Sequence, residues 1–279
     1  MKLYRTRQGI VVEHQNQFHR APSDDWDYLV NQDDLYQFLL QEVPSTAASD
    51  EFRAWTETDL LPPISQQEIW ASGVTYLKSR NARMEESKDA GGGDFYERVY
   101  DAERPELFFK STAARAVGSG DAVRIRKDST WNVPEPELTL FITSNGKIVG
   151  YTVGNDMSSR SIEGENPLYL PQAKTYDGAA AVGPCLYIPG TPISSDTQIR
   201  LEIRRDDATV FDESIAINRM KRRHDELVSF LFRETSFPHG CYLMTGTGIV
   251  PPDGFTLAGG DEVRITIDGI GTLVNSVQH

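Results

Sequence analysis

Apolar and polar residues alternate with period two through much of the second half of the chain, the signature of half-buried strands. Ala122–Arg126, Leu138–Ile142, Ile148–Val153, Gln198–Arg204 and Glu262–Ile267 read this way, separated by turns rich in Gly, Pro, Asn and Asp. From Phe108 onward this predicts a large, mostly antiparallel β architecture. Met220–Phe232 is a clear late helix, with Leu227, Phe230 and Leu231 as its apolar face. Its leading run, Lys221-Arg222-Arg223-His224, reads as a solvated helix start.

The first 63 residues read as a small α/β unit. Short strands at Lys2–Tyr4 and Ile10–Glu13 flank Gln8-Gly9, Asp33–Gln41 looks like a helix opened by an Asp cap, and Pro62-Pro63 closes the stretch. Residues 64–279 form the expected second domain, opening on a buried strand at Glu68–Tyr76. Leu77–Asp89 and Phe95–Ala102 are polar and helix-prone, and Gly91-Gly92-Gly93 separates them. A helix pair joined by glycines is expected to form a lid over about residues 77–104, against the plainer reading of a surface excursion.

Composition narrows the functions. The chain has 279 residues, 41 acidic against 28 basic, for a net charge of -13. That argues against a nucleic-acid footprint and against an anionic membrane surface. No apolar run approaches the roughly 18 residues of a transmembrane helix, and Met1–Ile10 lacks the apolar centre of a secretory signal. Cys185 and Cys241 give no disulfide framework and read as reduced, buried thiols, so the cytoplasm is the expected compartment.

The chemistry concentrates in Pro134–Asp156, where Asn145-Gly146 sits between alternating apolar runs as a strong hairpin signal. If those two residues are the loop, Ser144 faces Lys147, and counting back sets Glu135 opposite Asp156. Glu137 leaves the same face as Glu135. Directly opposed Cβ atoms sit about 4.5–5.5 Å apart, so three carboxylates converge and repel. A divalent, oxygen-preferring cation such as Mg²⁺ is one remedy; a solvated acidic strand end without metal is the other.

Further polar groups carry open readings. Glu106, ahead of an apolar run, is a proton donor in a cleft or a turn residue; Lys174 is a desolvated base or a surface lysine. Thr245-Gly246-Thr247-Gly248 is a carboxylate cradle or a plain turn, and it lacks the Lys of a phosphate loop. No GxSxG, HExxH, GxGxxG or Walker pattern occurs, which leaves serine-triad, zinc-hydrolase and nucleotide chemistry unsupported.

Pro134–Leu138, Gly150-Tyr151-Thr152, Asn155–Arg160, Lys174–Asp177 and Thr245-Gly246-Thr247 together resemble the motifs of the fumarylacetoacetate hydrolase superfamily, over roughly residues 64–275. Tyr96–Ala102, Arg104–Lys110 and Glu165–Gln172 are similar to its 2-keto-3-deoxy-D-arabinonate dehydratase branch. The resemblance implies a mixed β-sandwich roll with a small N-terminal α/β domain. It implies Mg²⁺, with Mn²⁺ or Ca²⁺ as alternatives, held by Glu135, Glu137 and Asp156. Glu106 and Lys174 become the catalytic acid/base pair, and Ser72, Gly73, Tyr76, Arg80 and Thr247 the substrate contacts. The implied activity is dehydration of a 2-keto-3-deoxy-pentonate to 2,5-dioxopentanoate by a cytoplasmic homodimer or homotetramer. Rivals are acylpyruvate-type C–C hydrolysis, oxaloacetate decarboxylation, and sugar-acid binding without turnover. Two departures matter: Leu77–Asn81 lacks the histidine of the hydrolytic members, and Ser159-Arg160-Ser161 stands where many members carry Ala-Arg-Asp.

Overall fold

The computed structural model describes residues 1–86 and 93–279. Strands β1 (Lys2–Thr6), β2 (Gly9–His14) and β3 (Gln17–Arg20) form a meander, followed by helices α1 (Trp26–Val30), α2 (Leu35–Glu42) and α3 (Asp50–Thr58). β4 (Glu68–Gly73) leads into α4 (Leu77–Glu86) and α5 (Gly93–Asp101). Then come β5 (Glu106–Thr112), β6 (Ala116–Val117), β7 (Ala122–Arg124), β8 (Asn132–Val133), β9 (Pro136–Ile142), β10 (Ile148–Asp156) and β11 (Ser158–Ser159). Two short helices, α6 (Arg160–Glu165) and α7 (Leu170–Lys174), precede β12 (Ala180–Tyr187), β13 (Gln198–Arg205) and β14 (Ala208–Ala216). Helix α8 (His224–Leu231), β15 (Cys241–Met244), β16 (Glu262–Ile267) and β17 (Gly271–Gln278) complete the chain.

A ten-stranded sheet runs β3-β2-β1-β12-β10-β9-β15-β4-β5, with β6 beside β12, and a five-stranded sheet runs β14-β13-β16-β17-β7. Period-two alternation explains how they stack. Leu138, Leu140 and Ile142 of β9 join Ile199, Leu201 and Ile203 of β13 and Val263, Ile265 and Ile267 of β16 in one core between the sheets. Phe141 points the other way, into a second core with Leu3, Val12, Trp26, Leu29, Leu35 and Leu39. The expected mostly β, sandwich-like architecture is thus what the chain adopts. Its leading strands are not set apart: β1 pairs with β12 and continues the larger sheet.

Several local expectations need correction. The loop joining β9 to β10 has three residues rather than two: Thr143 N–H donates to Lys147 O at 2.9 Å, and Gly146 takes the left-handed conformation with φ +76°. A bulge then leaves Val149 unpaired between the Ile148–Ile142 and Gly150–Phe141 pairs. The bulge cancels the extra loop residue, so the register expected at the far end survives. The Asp that opens α2 is Asp34, which occupies the N-cap without a side-chain cap bond; the carboxylate of Asp33 accepts from Thr143 Oγ1 at 2.6 Å and Asn145 Nδ2 at 3.0 Å and pins that loop. The two polar helices form as expected, α5 starting at Gly93; Gly91, Gly92 and the end of the Leu77–Asp89 segment lie outside the described residues.

The basic run before α8 is not solvated throughout. α8 itself starts only at His224. Arg222 is buried and donates to the carbonyls of Val99, Ala102 and Glu103 at the end of α5 and to Glu226 Oε1. Lys221 donates to Tyr100 O and Asp101 Oδ1, both at 2.6 Å. Losing a buried guanidinium that satisfies several carbonyls leaves those acceptors unpaired. Arg222→Ala is therefore expected to lower unfolding stability by about 2–3 kcal/mol in urea titrations, with faster amide exchange around residues 99–103.

Candidate metal centre and acid–base site

The ends of five strands meet at one edge of the large sheet. β4, β15 and β10 finish there, while β9 and β5 begin there, because β9 is antiparallel to both β10 and β15 and β5 is antiparallel to β4. The narrow recess at this end is lined by Gly73 of β4, Phe108 of β5, Glu137 of β9 and Asp156 of β10, together with Glu135, Lys174, Gly246 and Thr247 from the adjoining segments.

The register delivers the carboxylates. Glu137 pairs with Gly154 across β9 and β10, and Asp156 N–H donates to Glu135 O at 3.0 Å, so Glu135 lies opposite Asp156. Glu135, Glu137 and Asp156 are all buried, and each offers one oxygen within 4.8 Å of the others. Burial first, then the charges of Asp156 and Glu135, push the Glu137 carboxyl well above its ordinary range. Gly246 N–H partly offsets this by donating to Glu137 Oε2 at 2.6 Å. That contact requires glycine: φ is +94° and a Cβ would sit 2.0 Å from Thr75 Oγ1.

Cations answer the carboxylates. Lys174, the last residue of α7 and fully buried, donates to Glu135 Oε2 at 2.7 Å and to Asp156 Oδ2 at 3.1 Å. Arg160, the first residue of α6, meets Glu135 Oε1 at 2.8 Å. Lys110 of β5, also fully buried, contacts Asp156 Oδ1 at 2.5 Å. Burial drags the Lys110 ammonium down to about 8 despite that partner. Three formal negative charges thus face three positive ones.

The trio fits a small, hard divalent cation. All three donors are carboxylate oxygens, the ligand type Mg²⁺ prefers, and they lie within 4.8 Å of one another. Burial without full neutralisation of Glu137 is the strain such an ion would relieve.

Other expected residues fall around this centre. Glu106 pairs with Gly73 across β5 and β4. A Cβ on Gly73 would lie 2.0 Å from Glu106 Oε2, so the bare glycine makes room for that carboxylate beside Gly73, which lines the recess. Ser72 and Thr247 line the recess, and Ser72 Oγ has no hydrogen-bond partner among the described residues. The Tyr76 hydroxyl is likewise buried without a partner there; burial and the charge of Glu137 hold its proton on. Arg80 is not brought to the recess: it donates to Asn81 Oδ1 and lies over the Tyr100 ring at 5.0 Å. Sequence reasoning passes over Lys110 and gives no role to Arg160; Val74, within the expected Ser72–Tyr76 contact stretch, is a wall residue held at φ +51°, a costly conformation for a β-branched side chain. A lysine inside the apolar run Leu107-Phe108-Phe109-Lys110 was the available signal for the first.

Comparison with known proteins agrees with this geometry. Residues 68–278 match the family model described as fumarylacetoacetate (FAA) hydrolase C-terminal. The chain belongs to the fumarylacetoacetate hydrolase family. A probable 2-keto-3-deoxyxylonate dehydratase of Haloferax volcanii is 49% identical over 225 residues, covering 80% of this chain and 76% of that protein. A 2-dehydro-3-deoxy-D-arabinonate dehydratase of Saccharolobus solfataricus is 45% identical over 220 residues, covering 77% and 73%. The solved structure of a 2-keto-3-deoxy-D-arabinonate dehydratase complexed with magnesium and 2,5-dioxopentanoate superposes with a TM-score of 0.83, at 34% identity, covering 100% of this chain and 99% of that one. The family fold expected from the motifs is therefore the fold observed.

A cation bound here must displace the proton that burial favours on Glu137. Mg²⁺ affinity is expected to rise with pH, with net proton release on binding; calorimetry in buffers of different ionisation enthalpy measures it. Binding that is independent of pH and buffer would contradict this account of Glu137.

Proposed function

We propose that this chain is a Mg²⁺-dependent dehydratase that converts a 2-keto-3-deoxy-pentonate to 2,5-dioxopentanoate and water. The observation that carries the proposal is the buried carboxylate trio set beside a buried lysine, with a second acid over Gly73. The dehydratases of similar sequence, and the related structure with magnesium and 2,5-dioxopentanoate, support the substrate class.

Glu135, Glu137 and Asp156 would hold the cation. When bound, it supplies Lewis acidity toward a 2-keto acid, which makes the C3 protons easier to remove. The charge count favours such a substrate. Lys110, Lys174 and Arg160 already balance the three carboxylates, so the loaded site carries excess positive charge that an anionic acid offsets.

Lys174 takes the proton from C3. It can leave Glu135 and Asp156 only if those carboxylates find another cation, which ties the base to the filled site. Glu106 gives its proton to the C4 hydroxyl, which departs as water and leaves a C3–C4 double bond. A proton moved from C5 to C3 then gives an enol whose tautomer is the C5 aldehyde. Phe108 and the buried walls restrict water around these steps.

Hydrolysis of a C–C bond needs a positioned base for water. Among the described residues that line the recess there is no histidine, and Ser79 of α4 instead donates to Tyr76 O. This favours dehydration over the hydrolytic reading. We further propose a lid at residues 77–104, a cytoplasmic location in keeping with the two free, buried cysteines, and a homo-oligomer, for which exposed Leu168 and Tyr169 offer an apolar patch.

Purified protein with Mg²⁺ and a panel of 2-keto-3-deoxy acids, read by mass spectrometry, tests the reaction. One product that keeps every carbon and has lost one water supports dehydration; two carbon fragments or carbon dioxide reject it. Glu106→Gln and Lys174→Met are each expected to cut turnover at least about 10²-fold with the fold intact by circular dichroism. Near-normal turnover in either variant removes its assigned role.

A further inference from the structure

Lys110 has no place in the acid–base scheme, yet it is fully buried. Nζ meets Asp156 Oδ1 at 2.5 Å, the main-chain carbonyl of Lys174 at 2.6 Å and that of Met157 at 2.8 Å. Two carbonyls accept its hydrogen bonds, and the carboxylate pairs with its charge. The strand geometry puts it there. Ile69 pairs with Ser111 and Trp70 with Phe109, so Lys110 is the extra residue of a bulge in β5. Bulges re-aim a side chain, and this one turns a lysine inward from an otherwise apolar run.

We infer that Lys110 is a positioning residue that fixes Asp156 as a one-oxygen metal ligand and anchors the Lys174 backbone. The inference rests on the proposed roles of Asp156 and Lys174. Lys110 pairs its charge with Oδ1, and Oδ2, which accepts from Lys174 at 3.1 Å, is the oxygen freed for the cation when Lys174 turns to substrate. A one-oxygen carboxylate suits the compact octahedron of Mg²⁺, whereas Ca²⁺ readily takes both oxygens of a carboxylate at longer distances. Lys110 therefore biases the site toward the smaller ion. Its bond to the Lys174 carbonyl sets where α7 ends, and with it the point from which the Lys174 side chain reaches Glu135.

The test compares wild type with Lys110→Met, which keeps length and removes the ammonium. Mg²⁺ and Ca²⁺ affinities are measured by calorimetry without substrate, and kcat and KM separately. Groups that orient a metal ligand typically change affinity or activity about 10–100-fold when removed. Lys110→Met is expected to shift the Mg²⁺/Ca²⁺ affinity ratio at least about tenfold toward Ca²⁺ and to lower kcat more than it raises KM. An unchanged ratio in a folded Lys110→Met protein overturns the inference, even if its stability falls. Should that variant fail to fold, Lys110→Arg carries the test. It keeps the charge, but its planar fork cannot reproduce the two carbonyl contacts and the ion pair at these points, so the ratio and kcat are expected to move in the same directions. Wild-type values in Lys110→Arg would then overturn the inference. Failure of wild type itself to bind either ion would instead reject the metal centre.

Discussion

Everything at the site depends on one electrostatic constraint. Three carboxylates are taken out of water within a few ångströms of one another, and isolated buried charges of that kind are prohibitively costly. The chain meets the constraint by bringing cations from three different elements: Lys110 from β5, Arg160 from α6 and Lys174 from α7. These contacts tie segments far apart in sequence to the β9–β10 hairpin. The site is thus assembled by the same ion pairs that make it reactive.

Near balance matters more than the strength of any single pair. A site already neutral by formal count gains net positive charge once a divalent ion enters, which draws in an organic acid. A chain with net charge -13 would otherwise repel such a substrate. The acidic surface and the cation-rich pocket therefore play separate parts.

Much of this was legible in the sequence, and the residues that were not share a cause. Glu135, Glu137 and Asp156 could be placed from period-two counting because an extra residue in the loop and an extra residue at Val149 cancel. The remaining site residues depend on where loops and helices run in three dimensions. Lys110 was missed because a bulge suspends the alternation that counting relies on. Arg222 was read as solvated because a basic run looks alike on a free helix start and against the carbonyls of another helix. Arg80 was assigned by motif alone, and its guanidinium stacks on Tyr100 instead. Of the two adjacent acids that open α2, Asp34 takes the N-cap position while Asp33 serves the hairpin loop, a partner 110 residues away in the chain.

The pairing of β1 with β12 has a structural consequence of its own. The family model begins at residue 68, so the leading segment lies outside the shared catalytic region, yet it covers the flank of the strand next to β10. Stripped of β1, β12 would show bare main-chain groups to solvent and invite edge-to-edge association. The segment that contributes no reactive group thus shields the catalytic sheet from sticking to its neighbours.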